Sequence, residues 1–437
     1  MKHIILFLLA FSALCHAAVA MAVQPSPLSL EDCLRMARST SPVIGEADAS
    51  VQVSRAELQS ANKDLLPTLS AGYTYQRQFD NSFSSFYPSS ISENYFSYNL
   101  QVEQPVYRGE ALRTSVAIAK RQIASSSLAR AGKMNDLFLN VNQAYYNHLK
   151  NLKLQDVAAQ AVERLQSHLK DSRAFHEAGL IPKNDLLQSE VQLSQGQLDL
   201  LQAENAVQVS AASLNLLIGR PAIEPLALVD LTEEAEKYGQ DWQQVLASAL
   251  SSRPEIQQAK TEVKISEMDK ILAHAPYLPS VSVSASYLKQ GNDFFAREYD
   301  LSPGEVKQAQ ANLSWRFWSW GQNDDKVAAA VARKLAAEKR VAQLQDSITL
   351  QAREAYLGLD RARKNIDVTQ AAVQQAEENY RINEARYQAQ LNTSTQVLDA
   401  QTLLTRANAN YYSALYDYAF ARAKIDWAVG GGQPQQR

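Results

Sequence analysis

Residues 65–75 read LLPTLSAGYTY, and residues 277–287 read YLPSVSVSASY. Both hold Leu-Pro, then an alternation of small polar and apolar residues that closes on Tyr. Pro67 and Pro279 are 212 positions apart, as are Tyr75 and Tyr287. Period-two alternation is the signature of a strand with two unlike faces. Leu69, Ala71, Tyr73 and Tyr75 fall on one face, and Ser70, Gly72 and Thr74 on the other. The echo gives Val281, Val283, Ala285 and Tyr287 on the matching face.

The echo extends along the chain. Pro42 and Pro254 are 212 apart, as are Gly109 and Gly321. Ala144-Tyr145 matches Ala355-Tyr356 at 211, Leu180 matches Leu391, and Gly219 matches Gly430. So many landmarks on nearly one offset predict two tandem copies of one unit. We assign repeat 1 to residues 23–219, a Pro-containing linker to 220–240, repeat 2 to 241–430 and a C-terminal tail to 431–437. Each repeat is read as a helix of moderate length, two strands and a long helical hairpin. Ser29 and Asp32 suit a capping box at the first helix. Strands are expected at about 68–78 and 95–105, and again at about 280–290 and 309–318. In the second of each pair, Phe96, Tyr98, Leu100 and Val102 share a face, as do Ala311, Leu313, Trp315 and Phe317.

Lys2 and His3 precede the apolar run IILFLLAFSAL and small residues, which reads as a secretory signal over 1–22, cleaved after Ala20 or Ala22. Only Cys33 follows it, so an internal disulfide is excluded. The formal charge of −3 is too mild to point to nucleic acid. No later run of 18 apolar residues occurs, so a membrane can be met only through strands or a peripheral face.

Residues 133–178 and 359–429 contain neither Gly nor Pro. Helices of such length belong to coiled coils or to a tube. Val397, Leu404, Tyr411, Tyr418 and Ile425 recur every seven residues, with Ala400, Ala407, Ala414, Ala421 and Ala428 as a parallel small row. The first copy repeats this as Leu186, Leu193, Leu200, Val207 and Leu214 beside Ser189, Gly196, Ala203 and Ser210. A seven-residue repeat implies left-handed supercoiling. The hairpins turn near 177–185, at Gly179-Leu180-Ile181-Pro182, and near 388–396. Four strands cannot close a barrel, because the smallest outer-membrane barrels have eight. Three copies would supply twelve. Tyr107, Trp315, Trp318 and Trp320 suit an interfacial aromatic belt.

His148, His168, His176 and His274 show no metal-ligand spacing. Nucleophile-elbow, phosphate-loop and dinucleotide motifs are absent from the sequence. The reading is therefore not an enzyme, with no catalytic residue, cofactor or metal site.

The twofold repeat, LSLEDCLRMA with its Pro42, the LLP and YLP strand starts, QPVYRG at 104–109 and the tips EAGLIPKNDLLQSEVQL and ARYQAQLNTSTQVLDAQTLLTRA carry a resemblance. The chain resembles the TolC family of outer-membrane efflux channels over essentially all of its mature length. The resemblance implies a homotrimer, mainly α, with a 12-stranded β-barrel in outer-membrane lipid that continues as a periplasmic α-helical tunnel. It implies export of substrates with a periplasmic adaptor (membrane fusion) protein and an inner-membrane pump of RND, ABC or MFS type. It places Gly179, Leu180, Leu391 and Thr395 at the adaptor contact. It also places Asp185, Tyr387, Gln396 and Asp399 at a periplasmic pore constriction. The family usually has Gly where Gln390 stands, and many members have a second Asp at Gln396. An Asp ring on a threefold axis attracts cations, so modest cation preference and weak multivalent-cation binding are expected. The alternative is a periplasmic coiled-coil adaptor or scaffold without a barrel, which would explain the signal and the helices but not four barrel-length strands.

Overall fold

The structure is a computed structural model, and it describes residues 27–77, 94–230, 239, 241–297 and 304–431. The signal, most of the tail and part of the linker lie outside the described residues. The chain forms two compact units: one from residues up to Ile44, Met134–Ala249 and Leu350 onward, the other from Gly45–Lys133 and Leu250–Thr349.

The helices are α1 (Leu30–Thr40), α2 (Pro42–Lys63), α3 (Ala111–Glu177), α4 (Lys183–Leu217), α5 (Trp242–Ser252), α6 (Pro254–His274), α7 (Gln322–Gln388) and α8 (Ser394–Ala428). The strands are β1 (Thr68–Arg77), β2 (Asn94–Arg108), β3 (Ser280–Gly291) and β4 (Glu305–Ser314). The repetition holds in length: α3 and α7 have 67 residues each, and α4 and α8 have 35 each. It also holds in dihedrals. Ser41 (φ −62°, ψ 121°) and Arg253 (φ −63°, ψ 122°) take the same extended conformation before their prolines.

Those prolines correct one expectation. The single helix expected at the start of each repeat is two helices. Pro lacks an amide donor, and its ring disfavours helical backbone in the residue before it. Ser29 caps α1 as the spacing predicts. Its Oγ accepts from the Asp32 amide at 3.1 Å, while Asp32 Oδ2 accepts from the Ser29 amide at 3.2 Å.

In the first unit, Cys33, Ala37, Ile44, Met134, Leu137, Val141, Tyr145, Leu149, Leu214, Ile218 and Tyr416 form a buried cluster. Leu28 and Leu228 join as a short parallel bridge beside it. The Tyr145 hydroxyl donates to the Val229 carbonyl at 2.5 Å, and that of Tyr416 to Asp230 Oδ1 at 2.7 Å. Burial pushes the Cys33 thiol up to about 11, so it is an inert packing group. In the α4 seam, Ser189, Gly196 and Ser210 of the small row are buried. A Cβ on Gly196 would stand 2.7 Å from Leu165 Cδ1, so a larger residue there would require the leucine tip to move.

The second unit holds the sheet. It is antiparallel, in the order β1-β2-β3-β4, so β1 and β4 are its edges. Two boundaries differ from expectation. β2 runs on to Arg108, past a bulge between Pro105 and Tyr107. β4 stops at Ser314, so Trp315 and Phe317 lie beyond the strand. The equivalence of Gly109 with Gly321 is also corrected. The left-handed pair that follows each strand is Gly109-Glu110 (φ 60° and 69°) in one repeat and Trp320-Gly321 (φ 53° and 81°) in the other. The structural offset is thus 211, and glycine fills the first seat in one copy and the second in the other. A Cβ at Gly109 would come within 2.3 Å of the Ala275 carbonyl oxygen, so only glycine fits there.

Candidate functional site: the sheet wall and the hairpin tips

The register gives the sheet two unlike faces. Leu69 stands opposite Val102, Ala71 opposite Leu100 and Tyr73 opposite Tyr98. Leu100 stands opposite Tyr287 and Val102 opposite Ala285. Val281 meets Leu313 and Val283 meets Ala311. Residues opposite one another share a face, so this side is apolar across all four strands near the helices, while Lys307 opposite Tyr287 and Lys289 opposite Glu305 put charge on it at the far end. The other side carries Ser70 with Gln101, Thr74 with Ser97, Ser282 with Asn312 and Ser284 with Gln310. Water-facing groups thus line one face and oil-facing groups the other. Leu69 is 80% exposed and Leu313 67%, and neither is covered by the described residues.

Aromatic rings rim the apolar face at both ends. Tyr107 pairs with Val281 at the helix-proximal end. Trp315, Trp318 and Trp320 follow β4, all exposed, and the Trp315 indole donates to the Tyr277 carbonyl at 3.0 Å. At the other end Tyr73 lies 4.8 Å from Tyr98 and 5.6 Å from Phe294 between ring centroids, and Tyr75 lies 4.8 Å from Phe96. The sequence reading missed this second rim. Its signal was the aromatic content of the strand ends, with Phe294-Phe295 just past β3. Phe96 and Tyr107 are eleven residues apart on β2. At about 3.4 Å per residue and a tilt of about 40°, that spans roughly 28 Å of height, close to the apolar band of outer-membrane barrels.

The tips belong to the first unit. In each, the descending helix closes with the same pair of bonds. The Leu180 amide donates to the Phe175 carbonyl at 2.8 Å, and the Leu391 amide to the Arg386 carbonyl at 2.8 Å. This motif needs a left-handed residue just before the donor. Gly179 supplies it at φ 71°, and Gln390 supplies it at φ 61° despite its side chain. Gln390→Gly is therefore expected to stabilise the second tip by about 1 kcal/mol. The check is hydrogen exchange at the Leu391 amide, which should slow by roughly fivefold.

Leu180 and Leu391 stand out at the tips, 55% and 70% exposed. Thr395 is exposed too, but its hydroxyl donates to Gln188 Oε1 at 3.1 Å. Gln396 starts α8: its Oε1 accepts from the Thr393 amide at 3.3 Å. Asp399 is exposed and Asp185 half-buried. Tyr387 is apart from these. It is 2% exposed, packed on His168 at 4.8 Å and Phe175 at 5.4 Å between ring centroids.

Around Tyr387 a buried polar chain ties the two hairpins together. Ser172 Oγ lies 2.9 Å from Tyr387 Oη and 3.2 Å from Ser189 Oγ. Ser189 Oγ lies 3.1 Å from Ser394 Oγ, and His168 Nε2 lies 2.8 Å from that same hydroxyl. The chain draws one or two residues from each of α3, α4, α7 and α8. Gln388 Nε2 adds a bond to Asp171 Oδ2 at 2.7 Å. Burial lowers His168 to about 4, although Asp171 opposes the shift. Burial also raises the Tyr387 hydroxyl above its ordinary value. Among the described residues no group of three or more His, Cys, Asp or Glu could hold a metal ion, and no helix is long and apolar enough to cross a membrane.

Known proteins match over nearly the whole chain. TolC of Salmonella enteritidis is 22% identical over 92% of this chain and 82% of its own length. The pyoverdine export outer membrane protein OpmQ of Pseudomonas aeruginosa is 23% identical over 93% and 86%. The solved outer membrane protein VceC of Vibrio cholerae superposes with a TM-score of 0.78 at 18% identity, covering 92% of this chain and 96% of its own. The CmeC outer membrane channel of Campylobacter jejuni does so at 0.78 and 17%, covering 93% and 87%. The profile of the outer membrane efflux protein family matches residues 33–220 and 245–431. One match falls on each half of the repeat, and together they leave only the ends and the linker outside, so this chain belongs to the outer membrane efflux protein family.

Proposed function

We propose that three copies of the chain form a channel-tunnel, with the four-stranded sheets joined into one barrel in the outer membrane and the helical hairpins building a periplasmic conduit. The observation that carries this is the sheet. It has an apolar face with aromatic rims at both ends, interrupted by charge only at its far end, where Lys289, Glu305 and Lys307 stand, a hydroxyl- and amide-rich opposite face, and two edges unpaired among the described residues. A soluble adaptor has no use for an uncovered apolar face of this kind, since soluble monomers rarely expose so large a patch.

The conduit exports substrates with a periplasmic adaptor and an inner-membrane pump of the RND, ABC or MFS class. Gly179, Leu180, Leu391 and Thr395 are the proposed adaptor contacts. The exposed leucines at the two turns support this, since each offers an apolar knob on a rigid cap. Asp185 and Asp399 line the proposed constriction. Tyr387 holds the tips from within the protein rather than lining the opening. Gln396 supports the second tip as a helix cap.

The test is detergent-purified protein in a planar bilayer. The chain should resist a carbonate wash of membranes, run at three times its chain mass in detergent, and conduct with modest cation preference. Asp185→Ala and Asp399→Ala should each weaken that preference and the block by multivalent cations. Release by carbonate alone would sink the channel reading. Unchanged selectivity and block in both variants would sink the constriction assignment.

A further inference from the structure

Past its last residue, β3 turns back onto the sheet. Gly291 stands opposite Phe96, so a side chain there would point to the apolar face. A Cβ at Gly291 would lie 2.4 Å from the Ala296 carbonyl carbon and 2.7 Å from the Arg297 amide nitrogen. The chain after β3 therefore lies across the apolar face. Two bonds close the turn: the Asn292 amide donates to the Arg297 carbonyl at 3.3 Å, and the Ala296 amide to the Asp293 carbonyl at 2.8 Å. The Tyr98 hydroxyl ties it to the sheet by donating to the Phe294 carbonyl at 2.7 Å. Phe294 and Phe295 are left exposed.

This turn brings Arg297 to the face that carries Lys289 and Lys307. Lys289 stands opposite Glu305 and Tyr287 opposite Lys307, so the two lysines are diagonal neighbours across β3 and β4. Two of the bases lie by aromatic rings. Arg297 Cζ is 4.6 Å from the centroid of Phe295, and Lys307 Nζ is 6.0 Å from that of Tyr287. Two acids share the patch. Asp293 Oδ2 pairs with Arg297 Nε at 3.4 Å, and Glu305 accepts from the Tyr287 hydroxyl. Among the described residues neither lysine forms an ion pair. A lysine on the lipid side of a barrel costs least where the apolar band ends. There its stem lies along apolar surface while the ammonium reaches the head-group layer, whose anions are phosphates.

We propose that each protomer binds the phosphorylated head group of an outer-leaflet lipid at this patch, with Lys289 and Lys307 on the phosphate, Arg297 flanking it and the acyl chains along the apolar face. This rests on the barrel reading above, which puts the end of the sheet away from the helices in the outer leaflet. The occupant is a lipid rather than a soluble anion because the apolar surface begins beside the lysines. Leu100, opposite Tyr287, is exposed, and Val102 and Ala285 continue from it. A free phosphate would leave that surface bare, whereas a lipid covers it with the same molecule that meets the charge.

The experiment titrates lipid A, either phosphorylated or stripped of its phosphates, into the detergent-solubilised wild-type trimer and counts retained lipid by native mass spectrometry. The phosphorylated form should bind about thirtyfold more tightly. Lys289→Gln and Lys307→Gln should each cost about fivefold, and together they should remove the preference while the particle stays trimeric and conducts as wild type. Arg108→Gln, which changes an exposed base at the opposite end of the sheet, should leave the preference whole. Equal binding of the two lipids by wild type would overturn the proposal, as would a double variant that keeps the preference. Displacement of the lipid by inorganic phosphate would overturn the lipid assignment in favour of a soluble-anion site. With a trimeric, conducting particle, each of these outcomes leaves the barrel reading intact. A wild-type chain released by carbonate wash would overturn both.

Discussion

Replacing His168 by glutamine is expected to remove most of the histidine-dependent acid sensitivity of the hairpin tips. In the wild-type chain His168 is 1% exposed, with Nε2 on Ser394 and Nδ1 without a hydrogen-bond partner among the described residues. Desolvation disfavours the cation, which is why its pKa falls from 6.5 to about 4. A group depressed in the folded state contributes stability that is whole above its unfolded value. That contribution is lost as pH falls from about 6.5 to about 4. The gap corresponds to about 3 kcal/mol at full effect. The charged neighbour that acts on His168 is Asp171 on its own helix; Asp185 and Glu384 act on Tyr387, which packs against it, and α8 contributes the Ser394 hydroxyl. The readout is hydrogen exchange at the Leu180 and Leu391 amides, compared between wild type and His168→Gln at each pH. The ratio of rates should rise by about 100-fold between pH 7 and pH 4. The carboxylates titrate alike in both proteins and cancel. A ratio that stays flat would show that His168 does not set the acid response.

Arginine at two adjacent positions of β3 is expected to have opposite outcomes. Ala285 stands opposite Ala309 on the apolar face, and Ser286 stands opposite Gln308 on the polar face. A lipid-facing arginine near the middle of a barrel costs about 2–4 kcal/mol, and each trimer would carry three. Ala285→Arg should therefore fail to assemble, with little trimer recovered from outer membranes. Ser286→Arg should assemble at wild-type yield, since a charge towards the lumen meets water, and it should instead lower cation preference. Equal loss in both variants would mean that the two faces are not divided between lipid and water.

Much of this architecture is written in short-range patterns. The Pro67 and Pro279 echo, the alternation after it and the seven-residue rows of α4 and α8 specify strands, long helices and their repetition. What was not legible depends on long-range partners. The end of β4 could not be placed because strand identity there depends on a neighbour strand, not on WRFWSW itself. The glycine pair misled for a similar reason. Gly109 is required by the Ala275 carbonyl across the turn, whereas at Gly321 a Cβ would meet nothing within 4 Å. At the tips, Gly179 announced its turn, while Gln390 gives no such local signal and the second turn is placed by the repeat and the resemblance. The link from Tyr387 to Ser172 joins helices 215 residues apart, and no local pattern encodes it.

The hydroxyls at the tips have a mechanical consequence. Ser172 Oγ has three partners within reach: Tyr387 at 2.9 Å, Ser189 at 3.2 Å and His168 at 3.5 Å. A hydroxyl donates one bond and accepts two, and it rotates freely to choose among them. As one hairpin slides along the other, each serine can release one neighbour and take the next without leaving a stranded donor. A seam of interlocked leucines would resist the same motion in steps, because its knobs must climb out of their holes. A seat of hydroxyls would therefore keep neighbouring helices bonded through a small displacement that interlocked leucines would resist.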